Sequence, residues 1–188
     1  MSHGTTALQD LESNIRLFGS IDDLVLKSFL DQLERALGRE EPVVLELMTI
    51  GGDADVGRRI ALEMRLVRER RGRETRFIGK TVIYSAGVTI MSGFRPADRY
   101  VTQDARLLIH ERRLDKDVHF AGPLLACIQR ARELIAELEN SLAIETEGFE
   151  NLIAGTKITS DEVIDLAKHN WYLTAKEALD LGLIGGIL

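Results

Sequence analysis

"TRFIGKTVIYSAGVTIMSG", residues 75–93, changes character halfway along. From Thr75 to Tyr84 it is rich in β-branched and aromatic residues and reads as a strand. It then meets Ser85, Ala86 and Gly87 and continues as a small, apolar, helix-compatible run. A serine at a strand-to-helix junction either caps the helix or attacks a substrate, and this stretch alone permits both. It is not the G-x-S-x-G elbow of the α/β-hydrolases, because Ile83 and Tyr84 precede the serine. On its N-terminal side, residues 14–20 read as a strand, 22–37 as an amphipathic helix with an aspartate near its start, 42–50 as a second strand and 58–70 as a second helix. On the other side "ARLLIH", residues 105–110, reads as a further strand. Strands alternating with helices predict an α/β fold with a mostly parallel, helix-covered sheet.

Beyond His110 the pattern lengthens. Leu124, Ile128, Ala131, Ile135, Leu138 and Leu142 form a heptad-like seam. That spacing suits a long helix, either facing its own core or projecting to meet another subunit. The C-terminal stretch from Thr159 and Ser160 carries a helix N-cap followed by acidic residues and ends in a small apolar run. No repeat, low-complexity tract or linker divides the chain, so residues 1–188 read as a single domain.

Composition narrows the function. A formal net charge of −6 argues against a nucleic-acid partner, which calls for a basic face. The one basic cluster, residues 65–76, is interrupted by Glu69 and Glu74 and reads as a solvated helix end. Cys127 is the only cysteine, which excludes an intramolecular disulfide and a thiolate metal cage. Neither a signal peptide nor a run of apolar residues long enough for a membrane span is recognisable. A cytoplasmic protein is expected.

Three pieces could carry chemistry. Ser85 stands where helix-start N–H groups lack partners and could hold an oxyanion. Gly51 and Gly52, in "MTIGGDADVG", allow the backbone to approach a ligand closely, and their spacing fits neither common phosphate-loop pattern. His110 closes a strand, where a histidine serves either as a structural hydrogen-bonding residue or as a base. Taken in order, "MTIGGDADVG", "YSAG", "ARLLIHE" with its histidine 25 residues after the serine, and "WYLTAKEALDLGLIGGIL" resemble the proteolytic subunit of the Clp protease, from about residue 14 to 188.

The resemblance implies a serine peptidase with a crotonase-like β-α spiral and a handle region at about residues 111–150, with residues 1–13 a short N-terminal segment. By position it makes Ser85 the nucleophile and His110 the base, with the backbone N–H groups of Gly52 and Ala86 as the oxyanion hole. A peptide or unfolded-protein substrate would lie along Gly51 and Gly52 as an added strand, near Tyr84. It also implies homo-oligomeric rings, in the family heptamers stacked as a tetradecamer, and an ATP-driven unfoldase partner. No metal or cofactor is implied. Where the family has its triad aspartate this chain has Asn170, so Asn170 works in a modified triad, Asp165 or another acid replaces it, or the site is impaired. "YSAG" places the bulk of Tyr84 beside the serine, and "ERRLDKDVHFAG" replaces a Gly- and Gln-rich stretch of the family. Two other classes compete with the peptidase: a non-catalytic subunit of a ring complex, supported by Asn170, and a crotonase-like acyl-CoA enzyme, which leaves the serine-to-histidine interval unexplained.

Overall fold

The computed structural model describes residues 12–188, so the N-terminal segment expected over residues 1–13 lies almost wholly outside them. Three parallel strands open the sheet from its edge inward: β1 (Ile15–Phe18), β2 (Val43–Thr49) and β3 (Thr75–Tyr84). Strand β1 alternates buried Ile15 and Leu17 with exposed Arg16 and Phe18, the period of a strand with one face in the core. Helix α1 (Asp23–Leu37) starts where the Asp22 carboxylate accepts from the Val25 N–H. Helix α2 (Ala54–Arg71) begins earlier than its apolar pattern suggests, because Asp53 accepts from the N–H groups of Asp55 and Val56. It ends at Gly72, whose φ of 62° is the left-handed stop, and the basic cluster Arg68, Arg70 and Arg71 forms its last turn.

Strand β3 decides the architecture. Between the pairs Leu47↔Gly79 and Thr49↔Ile83, β2 advances two residues while β3 advances four, a bulge that holds Thr81 at a φ of 56°. Before the bulge β3 pairs with β4 (Arg99–Val101); after it, with β5 (Arg106–Ile109). The sheet thus turns into a second direction just where β3 runs into the short helix α3 (Ala86–Met91). Strand β5 pairs antiparallel with β6 (Trp171–Thr174), and β4 pairs with β7 (Gly186–Ile187). The result is a mixed seven-stranded sheet. Of these strands β4, β6 and β7, two to four residues each, were not expected from sequence.

Helix α4 (Leu124–Ile153), 30 residues and about 45 Å long, projects from this body. Only Phe149, Leu152 and Ile153 near its C-terminus are buried, whereas Leu124, Ile128, Ile135, Leu138 and Leu142 of the seam are exposed. Of the two uses foreseen for the seam, packing on its own core is therefore not realised. Helices α5 (Ser160–Ala167) and α6 (Ala175–Asp180) each open with a full capping box, Thr159 with Glu162 and Thr174 with Glu177. Among the described residues no helix is long and apolar enough to cross a membrane.

Candidate active site

Ser85 occupies the junction of β3 and α3 with φ 54° and ψ −115°, a conformation strained for any residue but glycine. Its N–H donates to the Leu108 carbonyl of β5 at 2.9 Å, which fixes the junction to the neighbouring strand. Its side chain makes no capping hydrogen bond. The capping explanation of this serine therefore falls away: the hydroxyl is left free at a position that costs backbone strain.

The glycine turn lies directly against it. A Cβ on Gly51 would stand 2.8 Å from Ser85 Cβ, and Gly51 has a φ of 111°. A Cβ on Gly52 would stand 2.3 Å from the Ile21 carbonyl oxygen. Only glycine fits either place. The turn is clamped on both sides: Ile21 N–H donates to the Gly51 carbonyl and Asp53 N–H to the Ile21 carbonyl. Thr49, 1% exposed, completes the clamp, its Oγ1 accepting from Gly51 N–H and donating to the Gly19 carbonyl. Among the described residues, neither the Gly52 N–H nor the Ala86 N–H has an acceptor.

His110 follows β5. It lines the same cavity, about 670 Å³, as Gly52, Ser85 and Ala86. The far wall of that cavity is α4, through Leu138, Leu142 and Phe149. No hydrogen bond joins Ser85 to His110 among the described residues; the ring Nδ1 lies 2.6 Å from the Glu111 carbonyl oxygen instead. Arg112 bridges the post-histidine segment to two helices, its N–H to Glu145 of α4 and its guanidinium to Asp55 of α2 at 2.7 Å. That guanidinium contact, aided by Arg58, holds the Asp55 carboxyl below the ordinary aspartate range against a partial burial that works the other way.

The family model described as Clp protease matches residues 3–188. The chain belongs to the Clp protease family. No curated protein matches it in sequence. Among solved structures it is similar to a ClpP1 from Listeria monocytogenes carrying an asparagine-to-aspartate substitution, with a TM-score of 0.74 and 17% identity over 93% of this chain and 90% of that one. At that identity the likeness speaks for the fold, and the mixed α/β fold with its long α4 is that of ClpP. Membership brings proteolysis as the class of activity.

The remaining residues expected at a Clp protease site fall as follows. Asn170 immediately precedes β6, whose Trp171 pairs with Ile109, the residue before His110. Its side chain, however, accepts from the Arg113 guanidinium at 3.4 Å. Asp165 lies on α5, 3.5 Å from Lys168, and does not line the cavity. Tyr84 does not line the cavity; it stacks edge-on with Tyr172 of β6 at 5.7 Å between ring centroids. Arg112 and Arg113 carried no sequence signal, because their roles arise from partners 33 or more residues away, and Thr49 draws one of its two partners, Gly19, from 30 residues away.

Proposed function

We propose that this chain is a serine-type endopeptidase that hydrolyses peptide bonds through an acyl-enzyme intermediate inside a chamber of stacked rings in the cytoplasm. The observation that carries the reading is Ser85: strained, making no capping bond and facing a cavity together with His110 and two amides that have no acceptor among the described residues. In the reaction the Ser85 oxygen adds to the substrate carbonyl carbon while His110 Nε2 takes the hydroxyl proton. The Gly52 and Ala86 N–H groups receive the developing oxyanion. Collapse of the tetrahedral species expels the amine, which takes the proton from His110, and water then releases the acyl group by the same route. The peptide would lie along Gly51 and Gly52 by main-chain pairing, which favours broad specificity. The exposed α4 seam is the surface on which copies of the chain would meet as homo-oligomeric rings, heptamers stacked as a tetradecamer; an ATP-driven unfoldase would feed the chamber.

The experiment is fluorophosphonate labelling, which requires an activated serine. Labelling of the wild-type protein, abolished in Ser85→Ala, is expected. A second reading, a non-catalytic subunit of a ring complex, is favoured by the missing Ser85–His110 hydrogen bond; apo sites are often loose in this respect. An assembled wild-type protein that stays dark would select it.

A further inference from the structure

His110 needs a partner at Nδ1 if Nε2 is to act as the base, since that partner decides which nitrogen carries the proton. The residue that the family pattern puts there is Asn170, yet the Asn170 amide oxygen receives the Arg113 guanidinium. Against His110 Nδ1 stands the Glu111 main-chain carbonyl at 2.6 Å. A carbonyl oxygen only accepts, so Nδ1 must be the donor and the neutral ring must keep its lone pair on Nε2, the tautomer a general base requires. We propose that the Glu111 carbonyl, and not Asn170, orients the His110 imidazole, with Arg113 holding Asn170 aside. The proposal rests on the serine-peptidase reading of the site.

Two further features agree with this division. Asn170 has a backbone reason to be asparagine: its φ of 56° is a left-handed conformation that asparagine tolerates better than most residues. It closes the turn out of α5, its N–H donating to the Ala167 carbonyl at 3.2 Å. The segment that carries the Glu111 carbonyl has anchors other than Asn170, because Arg112 ties it to Asp55 and Glu145. The orienting acceptor is thus held by α2 and α4 and needs no hydrogen bond from His110 to the Asn170 side chain. Glu111 acts through its main chain, so its side chain is free to vary.

The test reads the tautomer directly. Magic-angle-spinning NMR of the full assembled chain, labelled with ¹⁵N and ¹³C and with His110 assigned through a His110→Gln sample, should show neutral His110 protonated at Nδ1 and in dipolar contact with the Glu111 carbonyl carbon. A contact of that proton with the Asn170 side-chain carbon, or protonation at Nε2, overturns the proposal. Asn170→Gly removes the amide while keeping the positive φ. It should leave the tautomer unchanged and the fluorophosphonate rate at Ser85 within about threefold, where loss of a working triad partner costs about 10⁴-fold. A fall of about 10²-fold or more in the folded variant sinks the proposal. If the wild type fails to label, the peptidase reading is lost, and the wild-type spectrum still decides what orients His110.

Discussion

Ser85 can stand where it does because Gly51 has no side chain. Gly51→Ala would add a methyl group 2.8 Å from Ser85 Cβ and force an alanine into a φ of 111°, which costs about 1–2 kcal/mol. The melting temperature should fall by about 2–8 °C. The larger effect should be chemical, since a displacement of about 1 Å at a reacting group costs on the order of 10² in rate. Comparing the fluorophosphonate rate with the far-UV spectrum separates the two, and an unchanged rate in the alanine variant would mean that Gly51 does not position the nucleophile. At this scale the sequence was informative where a motif is contiguous: the Gly51–Gly52 pair and the "YSAG" junction are local patterns. It was silent on Thr49 and Arg113, whose contacts join segments far apart in the chain. Tyr84 stands beside the serine in the sequence. Strand alternation turns its ring away to Tyr172.

Among the elements, the long ones were legible, as were the short strands β1 and β5, whereas β4, β6 and β7 were not. Helix α4 announced itself through a repeated apolar spacing, but that spacing reads the same for a core helix and for one that meets a partner. The exposed seam decides between these for the single chain. Ile128→Glu together with Ile135→Glu, at residues 49% and 53% exposed, should leave the helix content intact and reduce the assembled mass in sedimentation velocity, since each places a charge in an apolar contact. Assembly that is indifferent to both changes would remove α4 from the ring contacts. A second element-scale link joins α2 to the segment after His110 through Asp55 and Arg112. Because the Asp55 carboxyl is held below its ordinary range in the folded chain, the pair contributes stability at and above ordinary carboxylate values near 4 and loses it as pH falls through the lower folded value. Arg112→Gln removes the largest favourable contact, so carboxyl ¹³C titration should show Asp55 moving up toward the ordinary range. An Asp55 titration indifferent to Arg112 would show that the bridge does not form in solution.

For the whole molecule the telling residue is Arg99, which composition would place on the surface with most arginines. It lies on β4, is 1% exposed, and donates to the carbonyls of Phe94 at 2.9 Å, Leu152 at 2.8 Å and Leu183 at 3.1 Å. Those acceptors belong to the nearby loop after α3, the last turn of α4 and the C-terminal segment, so one side chain joins the sheet to two regions that are distant in sequence. Leu152 is in the final turn of α4, whose carbonyls have no partner within the helix and whose dipole favours a cation. Burial, with repulsion from Arg68, pushes the guanidinium down to about 10, still high enough to keep it charged at neutral pH. Among the described residues no carboxylate bonds to this buried cation, and beside the longer-range attraction of Asp98 it is the carbonyls that replace its water. Arg99→Met removes the charge and its desolvation cost together, but leaves three carbonyls unpaired at about 1–3 kcal/mol each. We expect a net loss of about 3 kcal/mol, seen as a lower urea midpoint with an unchanged slope at fixed protein concentration. An unaltered midpoint would mean that water or rearrangement satisfies those carbonyls, and that α4 and the C-terminal segment are held to the sheet by apolar packing alone.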